Sequence, residues 1–190
     1  MRPVQGRWIV SGGLASGKSA VRRLLEESGV ETIDADAIGH QVLEPAGPAY
    51  ALVAETWPAV ANEGAIDRGA LAGIVFNDPS ELARLESITH PFIFEVIRRR
   101  VEEVDGPVVV EIPVLGHGLG ENWGLMVVDC SDEVRLRRAL ERGMDEGDAR
   151  ARMASQPSRT QWLAAADLVV PNHDSLDDLR ETVASLSGQL

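Results

Sequence analysis

The chain has 190 residues, of which 44% are hydrophobic and 25% charged, and its formal net charge is −12. These values are typical of one globular domain and exclude a disordered chain, because enough apolar surface is available to offset the entropy of ordering. The acidic balance argues against a nucleic-acid partner, since affinity for phosphate backbones depends on clustered Lys and Arg.

No apolar run approaches the roughly 20 residues that cross a bilayer, and residues 1–12 lack a leader pattern. We therefore expect a cytoplasmic protein without a membrane partner, a monomer or a weak homo-oligomer.

The basic residues are unevenly divided between 17 arginines and one lysine, Lys18. An ammonium group is a compact charge on a thin stem, whereas guanidinium is a planar fork. In a chain that uses arginine at every other basic position, the single lysine indicates a position where a guanidinium group would not fit. The alternative is that a single lysine among the basic residues is a chance result. Cys130 is the only cysteine, which excludes an internal disulfide and is consistent with a reducing compartment.

Short apolar runs rich in β-branched residues predict five strands, and helical patterns separate them. The valines at 108–110 do not alternate with polar residues, as is typical of a strand covered on both faces. The sequence therefore predicts an α/β fold with a parallel five-stranded sheet and helices on both faces. The predicted strands are 8–11, 30–33, 108–112, 125–129 and 168–170.

Two longer helical regions interrupt this alternation. About 75 residues separate the second and third strands, more than one crossover helix needs, and their pattern is that of several short helices. We interpret 1–190 as a single domain with a helical acceptor-binding insertion at about 35–105. A second excursion, 135–161, is rich in arginine, and its part from about 142 to 160 is predicted to be a lid.

A glycine-rich segment follows the first predicted strand and leads into an amphipathic helix. It fits the pattern G-x-x-x-x-G-K-[ST], the phosphate-binding loop or P-loop. Glycines let the backbone curl so that N–H groups point at phosphate oxygens, Lys18 reaches the β and γ phosphates, and the Ser19 hydroxyl ligates Mg²⁺. A glycine turn without function is the weaker alternative, because the strand and helix supply the context that the motif requires. The segment reads Gly12-Gly13-Leu14-Ala15-Ser16-Gly17-Lys18-Ser19.

Acidic residues end two of the predicted strands, at the sheet edge where ligands of open α/β sheets bind. Asp34 and Asp36 follow the second strand, and a carboxylate there can accept the proton of an attacking hydroxyl. A helix N-cap is the alternative role for this pair. Glu111 ends the third strand and is a candidate to assist Mg²⁺, with an ordinary strand-end acid as its alternative.

Other candidate site residues have less specific signals. Arg142, Arg152 and Arg159 in the predicted lid are candidates to close on ATP phosphates, although most arginines on a charged helix are solvated. His90 precedes Pro91 at a predicted helix break and is a candidate to contact substrate, with capping or packing as the commoner alternative.

The order of these motifs resembles that of the dephospho-coenzyme A kinase family over nearly the whole chain. No later motif is specific by itself, but their shared order and spacing are. Beyond the P-loop, the matching segments are Asp34-Ala35-Asp36, Glu44-Pro45, Gly64-Ala65-Ile66-Asp67-Arg68, Ile74-Val75-Phe76, His90-Pro91, Pro113-Val114-Leu115, Arg142 with Arg152-Met153-Ala154-Ser155-Gln156, and Ala166-Asp167 with Asn172.

The resemblance implies a nucleotide-kinase-like fold and transfer of phosphate from ATP to the ribose 3'-hydroxyl of dephospho-coenzyme A, with Mg²⁺ as cofactor. It implies Asp36 as general base, with Lys18 and Arg142 stabilising the transferred phosphate. The implied acceptor-binding residues are Asp36, Arg68, His90 and Leu115, and the implied metal-binding residues are Ser19 and Glu111. The implied ATP-binding residues are Gly13, Leu14, Ala15, Ser16, Gly17, Lys18, Ser19, Ala20, Arg142 and Asn172.

Several positions depart from the family pattern. Ala15 replaces a usual Gly, a mild change only where the backbone needs no positive φ. Glu111 stands for Asp, His40 for a frequent Arg, and Trp162 for an Arg of the lid, while Gly116-His117 replaces an apolar residue and Glu. These departures weaken the inferences about the identity of the acceptor and about catalytic efficiency more than the inference of ATP binding.

The departures leave two alternatives open. One is a kinase of the same fold that acts on another nucleotide or small alcohol, and the other is a pseudokinase that binds ATP or a coenzyme A relative without turnover. A GTPase is disfavoured, since the chain has no Asn-Lys-x-Asp motif.

Overall fold

The computed structural model describes residues 6–62, 64–113, 115, 118–120, 122–188 and 190. The chain divides into two compact units, of which the first comprises Met1–Asp34 with Val104–Leu190 and the second comprises Ala35–Glu103. The strands are β1 (Arg7–Ser11), β2 (Glu31–Asp34), β3 (Ala61–Asn62), β4 (Ala65–Ile66), β5 (Val108–Glu111), β6 (Gly124–Asp129) and β7 (Leu168–Pro171). The helices are α1 (Lys18–Glu27), α2 (Ala35–Gln41), α3 (Tyr50–Thr56), α4 (Arg68–Val75), α5 (Pro79–Glu102), α6 (Asp132–Glu141), α7 (Glu146–Ala154), α8 (Arg159–Ala165) and α9 (Leu176–Ser187).

The first unit contains a five-stranded parallel sheet in the order β2-β5-β1-β6-β7. All five predicted strands are found, each end within one residue of its predicted position. Every residue of β5 is buried, as its unbroken run of valines predicts. The predicted fold class is therefore confirmed.

The core of the first unit lies between the sheet and two helices, α1 and α9. Val21 and Leu25 of α1 are fully buried against Met126 and Val170 of the sheet, and α9 adds Val183. Fully burying one such side chain contributes about 1.5–3 kcal/mol. This packing fixes α1 against β1, and so fixes the loop that joins them.

The second unit has its own small core, formed by Val53, Trp57, Val60, Leu71 and Val75. Trp57 donates a 2.6 Å hydrogen bond from Nε1 to Oε2 of Glu81, and the Arg84 guanidinium lies 5.7 Å from the centre of its ring. A 3₁₀ turn (Pro58–Val60) leads into an antiparallel hairpin of β3 and β4. The sequence predicts only short helices here, and the hairpin is missed because two-residue strands show no periodicity.

The predicted helix break at His90-Pro91 is wrong, because α5 continues through Pro91 for 24 residues in all. A proline inside a helix costs about 3 kcal/mol. Side chains are buried on both sides of it, Thr89 before and Ile97 and Val101 after, and burial of aliphatic residues offsets a cost of that size. None of the helices within the described ranges is long and apolar enough to cross a membrane.

Candidate active site

The P-loop joins the end of β1 to the first residue of α1, and its backbone needs glycine at two positions. Gly12 has φ +145° and Gly17 has φ +107°, conformations that L side chains rarely adopt. A Cβ at Gly17 would also overlap the side-chain amide of Asn172. Because the loop follows the last residue of β1, its backbone N–H groups and the N-terminus of α1 lie at the carboxyl edge of the sheet. Such an arrangement binds phosphate.

Ala15 adopts a left-handed conformation, with φ +55°. The replacement of the family's usual Gly by Ala is mild only where φ is negative, so at this position it is not mild. A Cβ in the left-handed conformation costs roughly 1–2 kcal/mol. The Ala15 methyl group packs against Ala139 and Ala149, and burying one methyl group returns roughly 0.8 kcal/mol. The substitution is thus partly offset by packing that glycine would not provide.

Lys18 folds back over the loop. Its Nζ donates hydrogen bonds to the carbonyl oxygens of Gly12 and Gly13, both at 3.1 Å. The ammonium group is thus held above the loop, beside a polar cavity of about 290 Å³. The cavity brings together five predicted ATP-binding residues of the loop and α1 with Arg142, and it is lined by Ala15, Gly17, Lys18, Ser19, Ala20, Arg23 and Arg142.

Ser19 and Glu111, the two predicted metal-binding residues, are in direct contact. The Ser19 hydroxyl donates a 2.7 Å hydrogen bond to Glu111 Oε1. The other oxygen, Oε2, accepts a 2.8 Å hydrogen bond from Arg22 Nε. Arg22 also pairs with Asp34, whose Oδ2 lies 3.4 Å from its terminal nitrogen. The sequence did not single out Arg22, which the structure places on the acids that end β2 and β5.

The Ser19 and Glu111 pair fits a magnesium ion by the chemistry of its donors. Hydroxyl and carboxylate oxygens are the hard ligands that Mg²⁺ prefers, and it is commonly bound by one or two protein groups together with substrate phosphates. Among the residues that the structure describes, no group of three or more His, Cys, Asp or Glu residues forms a self-sufficient metal site. A metal ion here would therefore depend on nucleotide phosphates for its remaining ligands.

Asn172 lies directly behind the P-loop and is 6% exposed. Its Nδ2 donates a 2.7 Å hydrogen bond to the carbonyl oxygen of Ser16. Arg138 donates to both the backbone and the side-chain oxygen of Asn172, at 3.1 and 3.3 Å. Both ends of the Asn172 side-chain amide are thus hydrogen-bonded, one to the P-loop and the other to Arg138, and Arg138 is a further residue of the site that the sequence did not single out.

We expect Asn172→Ala to lower the free energy of unfolding by about 1–3 kcal/mol, because it leaves buried polar partners on Ser16 and Arg138 unsatisfied. Asn77 provides a matched control, since its Nδ2 makes a bond of the same 2.7 Å length to the carbonyl of Gly73 but is exposed. Asn77→Ala should change stability by less than about 0.5 kcal/mol. Urea titration of both variants measures the difference, and equal losses would contradict the role of Asn172.

The segment predicted as a lid contacts the P-loop through Gln156. Its Oε1 accepts hydrogen bonds from the Leu14 backbone N–H at 2.7 Å and from Arg135 at 2.8 Å. Arg135, only 5% exposed, also donates to the Leu14 carbonyl oxygen at 3.0 Å, and its guanidinium lies where a Cβ on Gly13 would be. These contacts explain the glycine at position 13, and Arg135, like Arg22 and Arg138, is an arginine that sequence reasoning missed.

Arg159, a candidate to contact ATP phosphates, is engaged elsewhere in this structure. It makes two hydrogen bonds of 2.7 Å to the two carboxylate oxygens of Asp129 at the end of β6. These hydrogen bonds lower the pKa of Asp129, against the opposing effect of its burial.

Trp162, on the same helix α8, is buried with its indole N–H unpaired among the described residues. Arg152 is exposed on α7.

The predicted acceptor-binding residues lie in both units. The second unit contains Asp36 in the first turn of α2, Arg68 at the start of α4, and His90 on α5, where its ring lies 5.4 Å from that of Phe94. His40, at the end of α2, is exposed, as are Asp36, Arg68 and His90. The first unit contains Leu115, in the loop after β5. The departures at Gly116 and His117, and the motif residue Val114, lie outside the described residues.

The glycine loop follows a central parallel strand, its lysine folds over its own carbonyl groups, and its serine bonds to a strand-end acid. This arrangement defines the class of P-loop nucleotide-binding proteins. The profile of the family described as Dephospho-CoA kinase matches residues 8–178 of the chain.

Individual relatives agree with this match. The chain is 40% identical over 188 residues to the dephospho-CoA kinase of Streptomyces avermitilis, covering 95% of this chain and 92% of the relative. It is 45% identical over 176 residues to that of Frankia casuarinae, covering 90% and 77%. The solved structure of a Thermus thermophilus protein, TT1252, is similar with a TM-score of 0.85 at 29% identity, covering 100% of this chain and 99% of that one. The chain belongs to the dephospho-CoA kinase family, and the predicted family and kinase class are confirmed.

Proposed function

We propose that this protein transfers the γ-phosphate of ATP to the ribose 3'-hydroxyl of dephospho-coenzyme A and so produces coenzyme A and ADP. The observation that carries the proposal is the P-loop, with Lys18 over it and Ser19 on Glu111, in a chain that matches the dephospho-CoA kinase family over residues 8–178. The alternative acceptors considered from the sequence have no comparable support.

In this proposal the loop holds the phosphates of ATP by its backbone N–H groups and by the positive end of α1. Lys18 neutralises charge that develops on the transferred phosphate, and Arg142, which lines the same cavity, assists it. Asn172 positions the loop from behind. The proposed ATP-binding residues are Gly13, Leu14, Ala15, Ser16, Gly17, Lys18, Ser19, Ala20, Arg142 and Asn172.

Mg²⁺ is the proposed cofactor, and when bound with ATP it supplies neutralisation of the β and γ phosphate oxygens. Ser19 and Glu111 are the residues that would hold it. We propose different tasks for the two, with Ser19 as the ligand and Glu111 as its support, because Ser19 lines the cavity beside the P-loop while both oxygens of Glu111 already accept hydrogen bonds from protein groups.

On the acceptor side we propose Asp36 as the general base, with Arg68, His90 and Leu115 as binding residues. The support for Asp36 is its place immediately after a strand that ends at the sheet edge, and its match to the family motif. The segment 35–105 is the proposed acceptor-binding insertion and 142–160 the proposed lid of a single-domain enzyme. We propose a cytoplasmic location and a monomer or weak homo-oligomer, with no nucleic-acid partner.

The test is coupled ADP release by the purified protein with ATP, Mg²⁺ and a panel of acceptors. We expect release with dephospho-coenzyme A, and none above the ATP-only rate with coenzyme A, in which the 3'-hydroxyl is already phosphorylated. Adenosine, gluconate and shikimate serve as further acceptors. Turnover of one of these in preference to dephospho-coenzyme A would reassign the acceptor. Binding of ATP without turnover of any acceptor would indicate a pseudokinase.

A further inference from the structure

We propose that Arg22 is a positioning residue for the metal–nucleotide complex. It fixes the carboxylate of Glu111, and Glu111 in turn fixes the direction in which the Ser19 hydroxyl presents its lone pairs. The inference rests on the proposed use of Mg²⁺ and adds to it a residue that contacts neither nucleotide nor metal.

Arg22 contacts three acids, each through a different nitrogen. Its Nε lies 2.8 Å from Glu111 Oε2, while its two terminal nitrogens lie 3.4 Å from Asp34 Oδ2 and 3.6 Å from Glu26 Oε2. The contact with Glu111 is the shortest and the least exposed, since the side chain of Arg22 is 18% exposed and that of Glu111 is 10% exposed. A charge-assisted hydrogen bond shielded in this way is stronger and better defined than an exposed surface pair.

The position of Arg22 follows from helix and sheet geometry. It is three residues after Ser19 on α1, so the two side chains lie on the same face of the helix. Asp34 and Glu111 are register partners at the ends of the adjacent parallel strands β2 and β5. Arg22 therefore lies between two neighbouring carboxylates that would otherwise repel each other, and it leaves Glu111 Oε1 directed at Ser19.

The hydrogen bond from Ser19 to Glu111 determines what the hydroxyl offers to a cation. A serine hydroxyl has one proton and two lone pairs. With its proton donated to Glu111 Oε1, at 2.7 Å, only lone pairs remain for another partner, and a lone pair is what Mg²⁺ requires. Glu111 thus acts on the metal through Ser19, as the hydrogen-bond partners of metal ligands do in other proteins. Loss of such a partner typically lowers metal affinity 10- to 100-fold.

The experiment measures binding of Mn²⁺, by its electron paramagnetic resonance signal, to the full-length protein saturated with ADP. We expect Arg22→Met, which keeps an unbranched stem without the charge, to weaken Mn²⁺ binding about 10- to 100-fold. Arg22→Lys keeps a charge but not the fork, and should lie between this variant and the wild type. In steady-state assays, the KM for Mg²⁺ should rise more than kcat falls.

Arg137→Met is the matched control, because Arg137 pairs with Glu141 on an exposed helix face at 3.8 Å and both side chains are more than 60% exposed. It should leave Mn²⁺ binding unchanged. Glu111→Gln provides a second route that keeps Arg22, and we expect it to weaken Mn²⁺ binding as well. Adding Arg22→Met to Glu111→Gln should then have little further effect, since both changes interrupt one chain of contacts.

The outcomes separate the two proposals. If wild-type protein with ADP binds Mn²⁺ but Arg22→Met binds it equally well or more tightly, the role of Arg22 is overturned while the use of a metal stands. If the wild type with ADP binds no Mn²⁺, the proposed use of the metal fails and the role of Arg22 fails with it. Fully additive effects of the two substitutions would also overturn the inference, because they would show that Arg22 does not act through Glu111.

Discussion

Lys18→Met should lower the turnover of ATP and dephospho-coenzyme A by at least about 10³-fold while leaving the protein folded. Loss of a single donor to a developing oxyanion costs about 10²- to 10³-fold, and Lys18 also contributes a full positive charge to the transferred phosphate. Its Nζ is held at 3.1 Å from the Gly12 and Gly13 carbonyls, so the charge is placed before the substrate arrives. Coupled ADP release gives the rate, and the thermal unfolding midpoint gives the state of the fold.

Lys18→Arg is the companion variant, because it retains the charge and changes its shape. A planar fork does not reproduce a compact ammonium held by two neighbouring carbonyl oxygens, so we expect turnover to remain well below the wild-type rate. Near-normal turnover by the methionine variant would remove the P-loop lysine from the mechanism. Near-normal turnover by the arginine variant would show that charge alone suffices there.

Asp36→Asn should lower kcat by about 10²- to 10⁴-fold and leave the affinity for ATP nearly unchanged. This is the usual range for general-base assistance, and the loss should fall at its low end, since a loose transition state makes little demand on early removal of the proton. Asp36 lies in the first turn of α2 and is exposed. Steady-state kinetics give kcat, and equilibrium binding of an ATP analogue gives the affinity.

Asp34→Asn is the control, and the structure gives the reason that it should differ. Asp34 pairs with Arg22 at 3.4 Å, so its replacement weakens that contact and acts through local positioning or stability. We expect a loss of turnover well below that of Asp36→Asn. If Asp34→Asn is inactive and Asp36→Asn turns over normally, the base is Asp34. If both variants are active, the base lies outside this pair.

The sequence predicts the sheet and the P-loop well, because both depend on local patterns. The strand β5 is buried along its whole length, as its run of three valines predicts, and the glycines at 12 and 17 are required by backbone conformations that few other residues adopt. Signals of this kind lie within a few residues of each other. They can therefore be interpreted without knowledge of the remainder of the chain.

The arginines of the site could not be predicted in this way. Arg22 meets Glu111 at a separation of 89 residues, and Arg135 meets Leu14 at a separation of 121. In the sequence both lie among charged residues of helical segments, where most arginines are solvated. Only the register of β2 with β5, and the packing of helix α6 near the P-loop, distinguish them from the exposed arginines of α5 and α7. The continuation of α5 through Pro91 could not be predicted either, since it depends on the burial of side chains along that helix.

The division of basic residues between 17 arginines and one lysine has a consequence for covalent chemistry. An aldehyde that forms a Schiff base, or an ester that forms an amide, reacts with the ε-amino group of lysine and not with guanidinium at neutral pH. The chain offers such reagents one side-chain target, and the structure places it beside the phosphate-binding cavity. Formation of a side-chain amide therefore reports on the P-loop alone, and one modified lysine per chain equals one modified site.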